Sequence, residues 1–254
     1  MAITIKSERE IELMAEAGKI LERVHNELEK ALHPGMSTKD IDTLGEKIIR
    51  SYGCIPSFLN YNGYPASICV SVNQEVVHGI PDKHRIIQEG DIVSLDAGVI
   101  YKGYHSDAAR THAVGEVSEE AKKLIQVTKE CFFEGIKYAK AGNHLFDISG
   151  AIGRYAEERG YGVVRDLCGH GIGTALHEAP EIPNYEVGRK GVKLRPGMTL
   201  AIEPMINIGT HEVDWLDDDW TVVTRDGSLS AHYENTILIT EGEPRILSLT
   251  CDNE

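Results

Sequence analysis

Two aspartates, Asp96 and Asp107, stand in the stretch Gly90–Thr111, GDIVSLDAGVIYKGYHSDAART. The runs Asp91–Ile100 and Tyr104–Val114, rich in β-branched, aromatic and small residues, flank a Lys102-Gly103 turn signal and predict a β-hairpin. In an antiparallel pair, opposed residues share a constant index sum. A turn centred between Tyr101 and Lys102 makes that sum 203 and sets Asp96 opposite Asp107 on one face. Side chains so opposed have Cβ atoms roughly 4.5 to 5.5 Å apart, and two bare carboxylates at that spacing repel unless a cation lies between them. A bulge at Gly103 would shift the pairing by one residue, and two solvent-facing aspartates guarding a sheet edge would need no metal. The rest of the chain decides between these readings.

A second pair of acids follows from an internal repeat. A constant offset of 107 takes Gly35 to Gly142, Asp40 to Asp147, Ile41 to Ile148, Lys47 to Arg154, Gly53 to Gly160, Gly90 to Gly197 and Asp96 to Glu203. With an insertion of 20 residues Asp107 maps to Glu234, and His105-Ser106-Asp107 lies over His232-Tyr233-Glu234. Four carboxylates gathered in a partly dry site cannot all stay ionised without cations. Such a set, with room for an imidazole, suits two divalent ions, and oxygen-rich ligation favours Mn, Fe, Co or Zn. The imidazole is expected from Cys168-Gly169-His170-Gly171-Ile172-Gly173, with His177 seven residues on. Three glycines and Pro180 argue against a helix there, and a glycine-bracketed histidine in an extended segment suggests close backbone approach to something bound. His78, in VVHGIP, falls at a loop tip near a strand end.

The elements that must position these groups are legible too. Ser7-Glu8-Arg9-Glu10 has the form of a capping box, followed by Met14, Ala17, Leu21, Val24 and Leu28 at helical spacing. Pro34-Gly35 ends that helix, and Ser37 or Thr38 caps a second one to about Tyr52, closed by Gly53. A strand over Ser67–Val72 and the hairpin come next. After Gly115 the order restarts, with a helix from Ser118 to about Ala139 and another from Ala141-Gly142 through Glu158. The fold expected is α/β (α+β): two helix-helix-hairpin halves, about residues 1–115 and 116–254, related by a pseudo-twofold axis in one catalytic domain. Their hairpins join in one antiparallel sheet with helices on its outer face.

Composition narrows the class. Hydrophobic and charged fractions of 41% and 26% are those of an ordinary globular protein, and no apolar run approaches a membrane span. The N-terminal MAITIKSEREIE lacks the features of a signal peptide, and five scattered cysteines without a CxxC suggest reduced thiols, so the cytoplasm is the expected compartment. A formal charge of −14 argues against a general nucleic-acid surface.

The motifs NGYPASICVSVNQEVVHGIP, GDIVSLDAGVIYKGYHSDAART, CGHGIGTALHEAP, LRPGMTLAIEPMI and DGSLSAHYENTI together resemble those of the methionine aminopeptidases, type I, in their short bacterial form. The resemblance spans nearly the whole chain. It implies the pseudo-symmetric "pita-bread" fold and removal of N-terminal methionine from nascent proteins and peptides, with a small second residue preferred. It further implies that Asp96, Asp107, His170, Glu203 and Glu234 bind two divalent ions, Asp107 and Glu234 bridging them. A hydroxide between the ions would attack the scissile carbonyl, Glu203 serving as general base and His177 steadying the tetrahedral intermediate. His78 would contact the substrate backbone, and Tyr61, Tyr64, Cys69 and Trp220, with Phe58 and Leu176, would line or border the methionine pocket. Three residues depart from the family's usual pattern: Leu176 where Phe is frequent, Asn235 where His is common and Asp219 where Gly is usual. Transient ribosome association and a monomer are implied as well. Two other readings use the same fold. One is a prolidase or X-Pro aminopeptidase, whose members usually carry a further N-terminal domain that this sequence lacks before its first helix. The other is a metal-free binding protein, against which five intact ligand positions and the acidic charge both speak.

Overall fold

The computed structural model describes residues 3–249. Helix α1, Glu8–Ala31, starts where the capping box predicts, with the Ser7 backbone N–H and hydroxyl both donating to Glu10 Oε2 at 2.7 Å. It buries Met14, Ala17, Leu21, Val24 and Leu28, the expected stripe. Helix α2, Thr38–Ser51, is capped by Ser37. Helix α3, Glu119–Ile136, ends before Ala139 because the N–H groups of Tyr138 and Ala139 reach back three residues, to Gly135 and Ile136, closing tight turns in place of helix. Helix α4 spans Leu145–Glu157.

A nine-stranded sheet runs through the molecule, with Ile92–Tyr101, Tyr104–Ala113, Glu234–Leu238, Thr199–Ile202 and Gly169–Gly171 as consecutive antiparallel neighbours. Ile68–Val72 adds to the outer edge of the Asp96 strand, placing Cys69 opposite Asp96. The sheet is symmetric about the seam between the Asp107 and Glu234 strands, where Glu234 faces Ala109. The offset of the repeat reappears in the geometry: isolated bridges join Ser37 to Ile86 and His144 to Lys193, and Gly35 and Gly142 share a left-handed φ of 94° and 93°.

Alternation assigns the two faces. Val93, Leu95, Ala97, Val99 and Ala108 point into a core with α1 and α2, whereas Leu200, Ile202 and Ile237 point into a second core with α3 and α4. Asp96, Asp107, His170 and Glu234 occupy the opposite parity, away from the helices. The four strands that carry them thus present their site residues on one side.

The hairpin differs from expectation in register. Lys102 and Gly103 are both left-handed, φ 49° and 88°, so they form a two-residue turn centred one position later than expected. Asp96 therefore faces Ala109 and Asp107 faces Gly98, making the two aspartates diagonal neighbours and not an opposed pair. An even slip keeps both on one face.

The second half is also less simple than a hairpin. Between the Glu203 and Glu234 positions the chain forms four short strands, Met205–Asn207, Val213–Trp215, Val222–Thr224 and Ser230–His232. Val222 pairs with Val77, so this excursion carries Trp220 over the site beside His78.

The N-terminal arm is pinned by a buried ion pair. Lys6 Nζ lies 2.6 Å from Glu178 Oε2, with side-chain exposures of 5% and 11%, directly beside His177. Burial alone would raise the Glu178 carboxyl, but its bonds from Lys6 and Thr4 outweigh burial and hold it below the usual range. Lys6→Met leaves that carboxylate unpaired and is expected to destabilise the fold by about 3 kcal/mol, read as a lower denaturant midpoint. An unchanged midpoint would mean that the pair contributes nothing. Cys54, Cys69, Cys131 and Cys168 are free thiols, and Cys251 lies outside the described residues. No helix among the described residues is long and apolar enough to cross a membrane.

Candidate metal centre and substrate pocket

One cavity of about 120 Å³ opens on the polar face of the sheet, and every site residue expected from the sequence lines it: Asp96, Asp107, His170, Glu203 and Glu234 on its floor, His78 and His177 at its sides, and Phe58, Tyr61, Tyr64, Cys69, Leu176 and Trp220 around its apolar end. Asn62 also lines it, a residue that opens the motif NGYPASICVSVNQEVVHGIP but takes no role from it.

Asp107, His170 and Glu234 form the tightest group, with one ligand atom from each lying within 4.8 Å of the others. His170 Nε2 is 3.9 Å from Asp107 Oδ2 and 3.6 Å from Glu203 Oε1. Its other nitrogen, Nδ1, donates to Gly171 O at 2.9 Å, which leaves Nε2 as a lone pair aimed at the acids. Asp107 is held through its backbone, whose N–H donates to Thr236 Oγ1 while its carbonyl accepts from that hydroxyl, each at 2.9 Å. Arg110, from the helix-facing side of the sheet, donates to the Glu234 carbonyl, and Asn184 Nδ2 donates to the Glu203 carbonyl at 3.1 Å.

The glycines bracketing His170 answer to neighbouring strands. A Cβ at Gly169 would lie 2.4 Å from the Ala201 carbonyl oxygen, and one at Gly171 would lie 2.2 Å from that of Ala179. The strand carrying His170 can enter the sheet only with glycine on both sides. His177 then folds back so that its ring meets that of His170 edge-on, with centroids 4.2 Å apart.

The electrostatics of the floor are those of an uncompensated acid cluster. Burial raises Asp96 to about 8. Burial, then the charges of Asp96 and Glu203, raise Asp107 well above the carboxylate range. Glu203 is raised by burial and Asp96, and Glu234 by burial and the other three acids against the opposing pull of Arg110. Asp96 Oδ1, Asp107 Oδ1 and Glu234 Oε1 are buried without a hydrogen-bond partner. Orphaned carboxylate oxygens converging with one imidazole lone pair are a donor set for divalent cations, so the residues present fit a metal. The imidazoles are pushed the other way: burial, then His177, takes His170 down to about 3, and the same causes in the same order take His78 to about 4.

The apolar end is built from rings. Trp220 meets Tyr64 edge-on at 5.1 Å and His78 at 6.2 Å, and the Tyr64 hydroxyl donates to Gly79 O at 2.9 Å. Asp218 Oδ1 accepts from the N–H groups of Trp220 and Thr221 at 2.9 and 2.7 Å, fixing the loop that presents the indole. The departures from the usual pattern are accommodated. Asp219 is left-handed with φ 64°, a conformation for which Gly is the easy choice and Asp a tolerated one. Asn235 points to the helix side and accepts from Arg110 Nη2 at 2.6 Å, and Leu176 remains a buried apolar wall.

His232 joins the site although it is absent from the residues expected there. Its Nε2 is 3.8 Å from Glu203 Oε2, and burial, then His78 and Arg110, lowers it to about 3. In the sequence it lies over His105 in the repeat and within the motif DGSLSAHYENTI.

The model of metallopeptidase family M24 matches residues 12–241. The chain belongs to that family. Within M24 it is 58% identical to the methionine aminopeptidase of Clostridium acetobutylicum, over 97% of this chain and 99% of that one. The crystal structure of the methionine aminopeptidase of Thermotoga maritima superposes with a TM-score of 0.96 at 47% identity, covering 98% of this chain and 100% of that one. The Xaa-Pro dipeptidase of Bacillus anthracis, also similar, gives 0.78 at 27%, and the match covers 97% of this chain but 62% of the dipeptidase. Within M24, the sequence and the fold both lie with the methionine aminopeptidases.

Proposed function

We propose that this chain hydrolyses the first peptide bond of nascent proteins and peptides that begin with methionine, with a small second residue preferred, and that it acts as one catalytic unit. The observation that carries this reading is the meeting, in one cavity, of a buried acid-imidazole cluster and an aromatic slot. Asp96, Asp107, His170, Glu203 and Glu234 would hold two divalent ions, Co, Mn, Fe or Zn. Metal bound there supplies Lewis-acid polarisation of the scissile carbonyl and of a water, and offsets the mutual repulsion of the acids.

The protein's own groups do the rest. Phe58, Tyr64, Cys69, Leu176 and Trp220 receive the flexible thioether, which packs well against ring edges. The substrate's free α-amine enters the acid-lined end, and an internal peptide has none to offer. Glu203 takes up a proton from the attacking water on its carboxylate, and His177 donates to the carbonyl oxygen as negative charge grows there. His78, neutral at physiological pH because burial holds it at about 4, orients the substrate backbone. Work on nascent chains fits a cytoplasmic monomer with transient ribosome contact, without membrane or nucleic-acid partners.

The test is release of free methionine from a Met-Gly-Met peptide by chelator-stripped protein, before and after Co, Mn, Fe or Zn is restored, with an X-Pro peptide in parallel. Metal-restored release from the first peptide alone is expected. Cleavage of only the X-Pro peptide would transfer the reading to prolidase, and no cleavage with any ion would favour a binding protein. His78→Ala is expected to lower kcat by about 10²-fold with metal content unchanged, the usual loss for one hydrogen-bonding group at a reacting centre. Metal analysis checks it, since loss of metal in that variant would end the substrate role.

A further inference from the structure

Tyr61 would be adequately explained as a pocket wall if it were phenylalanine. Its hydroxyl is the part without an assigned task. The residue stands in a short turn, Tyr61–Gly63, entered through a left-handed Asn60 and held by Tyr61 N–H donating to Phe58 O at 2.9 Å. From there the phenol oxygen reaches to 3.0 Å from His177 Nδ1, with ring centroids 5.2 Å apart and planes at 79°.

The chemistry of the two groups gives that bond its direction. A phenol is the stronger donor and a neutral imidazole nitrogen the stronger acceptor, so the Tyr61 hydroxyl gives its proton to Nδ1, its partner at 3.0 Å. A neutral imidazole that accepts at Nδ1 carries its proton on Nε2.

The neighbouring ring is set the opposite way. His170 gives its Nδ1 proton to Gly171 O and keeps a lone pair on Nε2, as a metal ligand must. The two edge-on histidines are thus wired as complements: one accepts at Nε2, the other donates. We propose that Tyr61 is a positioning residue that fixes His177 as the Nε2–H tautomer, so that a hydrogen-bond donor and not a lone pair meets the substrate carbonyl. The part concerning substrate rests on the donor role given to His177 above, whereas the tautomer itself does not.

The experiment uses full-length protein labelled with ¹⁵N-histidine, metal-free and zinc-loaded. Two-bond ¹H–¹⁵N correlation spectra report which ring nitrogen of His177 is protonated, with His177→Gln assigning its signals. Nε2–H is expected in the parent protein in both states. Tyr61→Phe, which keeps the ring, is expected to give mixed tautomers and a kcat lowered about 10- to 100-fold, with KM within about twofold, the scale on which partners of an active-site group act. Nδ1–H in the parent overturns the proposal even if the variant fails to fold. A Tyr61→Phe protein with an unchanged spectrum and unchanged kcat overturns it too. Should the chain release no methionine at all, the spectra still decide the tautomer, and the functional reading fails separately.

Discussion

Glu234→Gln will abolish methionine release, lowering kcat/KM by at least about 10³-fold, because Lewis-acid stabilisation worth several kcal/mol goes with the ion. Of the four acids, Glu234 separates metal binding from proton transfer, since Glu203 is assigned both roles and Glu234 only the first. Its Oε1 is buried without a partner, and its backbone is fixed by Arg110, so the amide will sit where the carboxylate did. The amide offers one weaker oxygen and no charge. Metal content per chain should therefore fall together with turnover, by direct metal analysis after dialysis. Full metal occupancy with normal turnover would remove Glu234 from the ligand set.

The metal-free protein will lose stability as the pH rises from 7 to 9, and the metal-loaded protein will lose less. Burial raises Asp96 to about 8, and Asp107, Glu203 and Glu234 lie well above the ordinary range through burial first and mutual repulsion second. In the unfolded chain such groups titrate near about 4. A folded pKa above the unfolded one contributes stability that is complete below the unfolded value and lost as the pH climbs through the folded value. The buried imidazoles His78, His170 and His232 have the opposite sign: their lowered values give stability that is present above about 6.5 and lost on acidification. Confining the comparison to pH 7–9 thus removes the imidazoles, and taking the difference from the metal-loaded protein removes the buried thiols, whose raised values act in the same window. Asp96, at about 8, by itself loses about 1.4 kcal/mol between pH 7 and 9, or about 4 °C in Tm, and the other three acids act in the same direction. Divalent ions compete with the protons, so the gap between loaded and metal-free Tm should widen over that range. A metal-free Tm that is flat from pH 7 to 9 would mean that the acids are already ionised and balanced by the protein itself.

Much of the site is legible in the sequence because its signals are local. Asp96 and Asp107 stand out as acids inside apolar strand patterns, and the repeat extends them to Glu203 and Glu234 without any knowledge of sheet order. The pocket residues and the roles of His78 and His177 come by resemblance, not from spacing. Asn62 and His232 lie inside the motifs NGYPASICVSVNQEVVHGIP and DGSLSAHYENTI, yet neither takes a role from them: Asn62 reads as a turn residue, and His232 matters only because the strand Ser230–His232 returns beside Glu203. The glycines around His170 read as making room for a ligand, when the atoms they avoid are the carbonyls of Ala179 and Ala201 on the two neighbouring strands.

The sequence alone determined which side chains share a face, because strand parity has a period of two and survives an even slip in register. That is why Asp96 and Asp107 stayed together when their pairing moved from opposed to diagonal. Tertiary structure decided the rest. The register depended on two left-handed residues in one turn. Whether the two acid pairs met depended on the seam between the Asp107 and Glu234 strands. The opposite settings of His170 and His177 depended on which acceptor or donor each Nδ1 found, Gly171 in one case and Tyr61 in the other. A hydrogen bond is a matter of tenths of an ångström between groups that the chain itself separates widely, and only packing fixes those.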